Sequence, residues 1–267
     1  MEKRNDRYNL SMLTDFYEIT MSNGYFKTGM KDTIAVFDMF FRTVPQRGGF
    51  AIMAGVEQLV DYLENLRFSE EDLDYLNGFG LFEEDFIDYL RHFEFACDVW
   101  AVPEGTPIFP GEPIVKVKGP IIQAQMIETM ILLTINHQSL IATKSSRIVR
   151  AAQGRPIMEF GARRAQGVDG SMLGARAAYI AGVAGTSCTL AGKAFNIPAL
   201  GTMAHSWVQA FDTEYEAFKA YAMAYPDECQ FLVDTYNTLK SGVPNAIRVA
   251  KEILEPMGRR LQSIRID

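Results

Sequence analysis

Apolar and polar positions along the chain follow two different rhythms. In the first half, helices and strands mix without regular alternation. Leu13 to Met21 has helical spacing, with Thr14 placed to cap it. Ile34 to Arg42 is short, apolar and rich in phenylalanine, which predicts a buried strand. Ile52, Val56, Leu59, Val60 and Leu63 recur at helical spacing. Ser69-Glu70-Glu71-Asp72 opens a further helix in capping-box style, with Leu73 and Leu76 behind it. Glu94 to Val102 and Pro113 to Lys118 predict strands, joined by a Pro/Gly-rich turn region from Pro103 to Gly111. Ile121 to about Gln153 is long and amphipathic, ends at Gly154, and reads as a bridge between domains.

The second half alternates. Strand-like Pro156 to Phe160 precedes helical material as far as Phe195. Strand-like Ile197 to Met203 precedes a helix around Glu214 to Tyr225. Strand-like Gln230 to Asp234 precedes a helix around Val243 to Leu254, and Leu261 to Asp267 forms a last strand. Such alternation predicts parallel βα units. A closed eight-stranded barrel takes about 250 residues. The four strands from Pro156 onward, the last with no helix after it, therefore predict a barrel cut short.

Bulk properties narrow the partners. The chain has 267 residues, 48% hydrophobic, with a formal charge of −7. That supports a real core. The acidic balance argues against nucleic acid or a lipid surface as a general partner, because both are anionic. The three cysteines, Cys97, Cys188 and Cys229, have no metal-binding spacing and fit a reducing cytoplasm. Met1 to Asp6 is polar, unlike a signal peptide. No apolar run approaches the roughly 20 residues of a membrane helix. No Walker loop or Gly-x-Gly-x-x-Gly is present.

Each βα unit ends its strand on polar residues: Glu159, Arg163 and Arg164; His205 and Ser206; Asp234; Arg265 and Asp267. In parallel α/β folds these strand ends form the ligand crevice. Arg163 and Arg164 read either as surface charges or as a clamp for phosphate or carboxylate. His205 reads either as structural or as a proton shuttle or nucleophile. Asp234 reads as a cap or a ligand group, and Arg265 with Asp267 as a site or a frayed end. Cys188 reads as a small core residue rather than a nucleophile.

Several strings resemble the nicotinate phosphoribosyltransferase family, in family order and spacing. They are Leu13-Thr14-Asp15-Phe16-Tyr17, Glu159-Phe160-Gly161-Ala162-Arg163-Arg164-Ala165-Gln166, Gly185-Thr186-Ser187, Gly201-Thr202-Met203-Ala204-His205-Ser206, Val233-Asp234-Thr235-Tyr236 and Ile264-Arg265-Ile266-Asp267. The resemblance implies an α/β fold: a mixed α+β domain over 1–135, then over 136–267 the first part of an irregular TIM-like barrel of the type II phosphoribosyltransferase class. It implies an enzyme that makes nicotinate mononucleotide and pyrophosphate from nicotinate and phosphoribosyl pyrophosphate, with ATP hydrolysis and Mg2+. Phe160 and Tyr17 would stack on opposite faces of the pyridine ring, Tyr17 reaching in from the second subunit of a homodimer. Arg163 would hold donor phosphate, with Arg164 beside it. Arg265 would meet the carboxylate or ring edge, and Asp267 the ribose or metal side. Ser206 and Asp234 would line the site. His205 would be phosphorylated by ATP, biasing the site toward turnover.

Related nicotinamide enzymes carry an aspartate where this chain has Ser187. An aspartate repels a carboxylate, whereas serine donates a hydrogen bond to it, so nicotinate is the expected substrate. The alternatives are a nicotinamide phosphoribosyltransferase, or a noncatalytic binding or assembly module. The family continues past Asp267 into Ser-Gly-Asp, further strands and a glycine-rich phosphate loop. The chain is thus expected to be the first part of such an enzyme and weakly active or inactive by itself.

Overall fold

The structure, a computed structural model, describes residues 9–45 and 48–267, so Met1 to Asp6 lies outside it. The chain divides into two compact units, one ending at Ala199 and one beginning at Leu200.

In the first unit, α1 spans Phe16–Lys27, starting later and running further than its apolar spacing predicts. Thr14 does not cap it. The Thr14 hydroxyl bonds the Glu18 carboxylate instead, and Asp15 stands at the cap without a side-chain bond. Glu18 is fully buried, and burial pushes its carboxyl above the usual range.

Next come β1 (Ile34–Met39), β2 (Ala51–Ile52), α2 (Val56–Glu64), α3 (Glu70–Asn77), α4 (Glu84–Arg91), β3 (Asp98–Ala101), β4 (Pro107–Ile108) and β5 (Val115–Pro120). The capping box of α3 forms as expected, Ser69 and Asp72 serving each other's amide. Ile52 is not helical: it lies in β2 opposite Pro107, inside the region expected to be only a turn. Strands β1, β5 and β3 form one antiparallel sheet, with Phe37 opposite Val117 and Val117 opposite Val99. Met39, Val115 and Val117 sit on the face that joins a core containing Leu59, Phe86 and Leu90. The opposite face is open: Ile34, Val36 and Trp100 are 60%, 53% and 52% exposed. The buried strand expected at Ile34 to Arg42 is therefore half wrong. Its sheet has one packing partner, so alternate residues face outward.

The expected bridge helix is broken into α5 (Ile121–Met126) and α6 (Glu128–Ala151), with the break at Ile127. Glu18 explains the break. Its carboxylate accepts from the Thr129 N–H at 3.1 Å and the Thr129 hydroxyl at 2.7 Å, capping α6 from another helix. Gln153 and Gly154 end the run with left-handed backbone, φ 51° and 84°.

The unit closes with β6 (Met158–Glu159), α7 (Gly167–Ile180), β7 (Gly185–Thr186) and α8 (Thr189–Phe195). β6 and β7 are parallel, as βα alternation requires. β7 interrupts the stretch expected to be wholly helical, and the strand expected at Ile197 to Met203 is reduced to one bridge between Thr186 and Ala199. Pro198, which has no N–H to donate, limits pairing there.

The second unit contains α9 (His205–Gln209), α10 (Glu214–Ala224), β8 (Gln230–Leu232), α11 (Val243–Val249) and β9 (Ser263–Arg265), with π-helical turns on both sides of α11. β8 and β9 pair in parallel, Leu232 opposite Arg265. Phe218 of α10 stacks on Phe231 of β8, centroids 4.6 Å apart, and both rings are fully buried. Each contributes about 1.5–3 kcal/mol by leaving water. No described helix is long and apolar enough to cross a membrane.

Candidate active site

In the first unit the site is built at the ends of β6 and β7. The Glu159 carboxylate accepts from the Gly161 N–H and, at 2.7 Å, from the Thr186 hydroxyl. Its carbonyl accepts from the Ser187 N–H at 2.9 Å, and the Thr186 hydroxyl accepts from the Cys188 N–H at 3.0 Å. Glu159 thereby ties two strand-end turns together. A side chain on Gly161 would meet Glu159 Oε1 at 2.8 Å, so the Glu159 carboxylate would have to shift to admit it.

That turn leads from half-buried Phe160 into a 3-10 turn, Ala162–Arg164. Arg163 and Arg164 are exposed, and neither guanidinium has a hydrogen-bond or ion-pair partner among the described residues. Ser187 is exposed on the neighbouring turn. Two unneutralised guanidinium groups make a local positive field in an acidic chain, suited to phosphate or carboxylate. A cleft of about 380 Å³ lies beside them, lined by Ala162, Val168, Ser171, Met172, Cys188 and Leu190. Cys188 is half-buried there with its Sγ 3.7 Å from Ser171 Oγ. Tyr17 lies on the first turn of α1, 43% exposed. Its phenol is pushed up to about 12, by desolvation first and then by a bond to Glu128, so it stays neutral at physiological pH. Among the described residues no ring contact joins Tyr17 to Phe160.

In the second unit, His205 opens α9. Its Nδ1 lies 3.1 Å from Thr235 Oγ1, and its Nε2 lies 3.7 Å from Asp267 and 3.9 Å from Asp234. The Asp267 N–H donates to Asp234 Oδ2 at 2.8 Å, while Asp234 Oδ1 is buried with no hydrogen-bond partner among the described residues. Arg265 donates through Nη2 to the Met203 carbonyl at 2.9 Å, and its Nε is likewise buried with no hydrogen-bond partner among the described residues. Ser206 is exposed on α9. The parallel register carries Asp234 and Asp267 just beyond paired Leu232 and Arg265, which brings His205, Asp234, Arg265 and Asp267 to one strand end. Thr235 enters the sequence analysis only as part of the Val233–Tyr236 string, with no role of its own. Its polarity is ordinary, and only its contact with the imidazole marks it.

A buried polar atom at a strand end with no protein partner is open to a partner from water, an ion or a ligand. Among the described residues no three His, Cys, Asp or Glu side chains converge as a metal-binding group. The Asp234 and Asp267 carboxylates, with one orphaned oxygen, do fit Mg2+, which is held through one or two carboxylates plus substrate phosphates.

Comparison with known proteins identifies the family. Residues 12–136 match the nicotinate phosphoribosyltransferase (NAPRTase) N-terminal domain, and residues 156–241 match the NAPRTase family. The chain is 48% identical over 259 residues to a nicotinate phosphoribosyltransferase of Mycobacterium tuberculosis, covering 96% of this chain and 54% of the relative. It is 48% identical over 257 residues to the Bacillus subtilis enzyme of that name, covering 95% and 52%. The crystal structure of human nicotinic acid phosphoribosyltransferase aligns with a TM-score of 0.87 at 31% identity, over 94% of this chain and 60% of that one. The chain spans about half the length of the curated relatives it matches. With its mixed α/β fold and both family segments in order, the chain belongs to the nicotinate phosphoribosyltransferase family.

Proposed function

We propose that this chain carries part of the machinery that joins nicotinate to phosphoribosyl pyrophosphate, releasing pyrophosphate, with ATP hydrolysis as the coupled reaction. The observation that carries the proposal is the strand-end cluster of His205, Asp234, Arg265 and Asp267, with orphaned buried atoms on Asp234 and Arg265. The two matched segments support a functional boundary near residue 135.

In this reaction the pyridine nitrogen attacks C1 of the ribose as pyrophosphate leaves, through an oxocarbenium-like centre. Little covalent help is required. Positioning and charge stabilisation supply the acceleration. Phe160 offers one aromatic face to the ring, and Tyr17 of a second subunit in a homodimer offers the other. Arg163 and Arg164, unneutralised on their turn, bind donor phosphate. Ser187 donates to the nicotinate carboxylate, and Arg265 reaches the carboxylate or ring edge. Asp267 meets the ribose, and with Asp234 it would hold Mg2+, which when bound neutralises charge on the pyrophosphate. His205, with Ser206 beside it on α9, accepts phosphate from ATP, and the phosphorylated state favours productive binding.

The test measures nicotinate mononucleotide formed by the purified protein from nicotinate, phosphoribosyl pyrophosphate, Mg2+ and ATP, with nicotinamide in parallel. At most slow product formation from nicotinate, and none from nicotinamide, is the expected result for this chain, and preference for nicotinamide would overturn the proposal. Selectivity has its own prediction. Ser187→Asp places a carboxylate against that of the substrate and weakens nicotinate binding at least about tenfold, the cost of a lost hydrogen bond to a charged group. Unchanged nicotinate affinity in that variant would remove Ser187 from the selectivity account.

A further inference from the structure

The turns at the ends of β6 and β7 are closed in the same way, and the two closures meet. On the first, the Glu159 carboxylate accepts from the N–H two residues on, that of Gly161. On the second, the Thr186 hydroxyl accepts from the N–H two residues on, that of Cys188, at 3.0 Å. Such bonds from a side chain to its own nearby backbone fix the shape of a turn locally. The two closing residues stand opposite each other in the β6–β7 register, and the Thr186 hydroxyl donates to Glu159 Oε2 at 2.7 Å. The directions are forced: a carboxylate accepts and an amide N–H donates, so the one hydroxyl proton goes to Glu159 and a lone pair of the same oxygen to Cys188. Thr186 is fully buried, so water replaces neither bond unless the strand ends open. The backbone also joins the turns, through the Ser187 N–H on the Glu159 carbonyl at 2.9 Å. One such bond is a pivot. The Thr186 bond beside it fixes the angle between the turns. Phe160 and Arg163 follow on the first turn, and Ser187 follows on the second.

We propose that Thr186 is a positioning residue: its hydroxyl couples the turn bearing Phe160 to the turn bearing Ser187, and so sets the spacing between an aromatic face and a carboxylate-binding hydroxyl that one nicotinate molecule touches together. This rests on the reading that nicotinate stacks on Phe160 and bonds Ser187. Thr186 acts on the substrate only through the two turns.

Thr186→Val keeps the branched shape and removes the hydroxyl, while Thr186→Ser keeps the hydroxyl. Amide hydrogen exchange reads the coupling without any substrate. The Gly161 amide keeps its Glu159 acceptor in both variants. In Thr186→Val it is nonetheless expected to exchange at least about tenfold faster than in the parent, and in Thr186→Ser within about twofold of it, as for one lost hydrogen bond. Unchanged Gly161 exchange in Thr186→Val overturns the proposal. If Thr186→Val does not fold, the parent decides. Coupled turns open together, so the Gly161 and Cys188 amides are expected to be protected to within about threefold of each other, and a difference above about tenfold overturns the proposal. Binding reads the consequence. Nicotinate, which touches both turns, is expected to bind about tenfold more weakly to Thr186→Val, whereas pyrophosphate, held by Arg163 and Arg164 on one turn, binds within about twofold of the parent. Equal losses for the two ligands mean a general loss of structure and overturn the positioning role. A parent that does not bind nicotinate sinks the substrate reading separately, and Gly161 exchange still decides the coupling.

Discussion

Glu104→Gln is expected to cost about 3 kcal/mol of stability, which is about 6–12 °C in Tm for a unit of this size. Arg176 of α7 is 8% exposed, and its guanidinium is shared by Glu104, Glu57 and Gln138. Glu104 is the partner that matters. Its Oε1 accepts from Arg176 Nη1 at 2.9 Å and from the amides of Gly55 and Val56 at 2.6 and 2.9 Å, capping α2. Its Oε2 accepts from Arg176 Nη2 at 2.7 Å. Glutamine can keep one oxygen at the amides only by turning its NH2 on the second guanidinium nitrogen, donor against donor, in a site with little water. Glu57→Gln removes the same charge from a side chain that is 53% exposed, and is expected to cost about 1 kcal/mol or less. Similar losses from the two variants would refute the buried-pair account.

The pH dependence follows from the same group. Burial acts to raise the Glu104 pKa, but the bonds and charge of Arg176 and the two amides outweigh it, and the folded value lies below the ordinary one. The contribution of Glu104 is thus fully present above the pKa of an unfolded glutamate and is lost as pH falls through the lowered folded value. Glu18 runs the other way: its folded pKa is raised, so its ionisation works against the fold as pH rises. On acidification the Glu104→Gln variant therefore loses less stability than the parent, and its melting curves over that limb measure the difference.

Local rules made some elements legible. The Ser69 capping box needs only residues three apart, and parallel βα alternation needs only short periodic runs. Long-range contacts were not legible. Glu104 sits in a stretch that reads as a turn, and its partner lies 72 residues later. The break at Ile127 is set by Glu18, whose bond to the Thr129 hydroxyl spans 111 residues. The two-residue strand β7 is too short to show alternation. In the candidate site, strand-end position marked His205, Asp234, Arg265 and Asp267 from sequence. Glu159 shares that position, and its carboxylate serves the Gly161 amide of its own turn and the Thr186 hydroxyl of the next, contacts that strand-end position does not reveal.

Gly242→Ala is expected to destabilise the protein by at least about 3 kcal/mol and to disturb the His205 cluster in the molecules that stay folded. Gly242 ends the π-helical turn before α11 and is buried against β8. A Cβ there would lie 1.8 Å from the Val233 carbonyl oxygen and 2.7 Å from its carbon. Those are backbone atoms of a strand end, so no side-chain rotation relieves the overlap. Either the turn lifts off or Val233 moves. Val233 donates to the Arg265 carbonyl at 3.0 Å and is followed by Asp234, so a shift there carries both carboxylates away from the imidazole. Misplacement by about 1 Å at such a site costs about 100-fold in rate. Gly201→Ala, in the same unit, is the control: nothing lies within 4 Å of its Cβ, and the expected change is about 0.5 kcal/mol or less. Urea midpoints of the two variants and the His205 ring shifts of Gly242→Ala test this directly. A Gly242→Ala variant within about 1 kcal/mol of the parent, with unmoved ring shifts, would mean that the turn does not press on β8, and that Asp234 is positioned by the β8–β9 pairing alone.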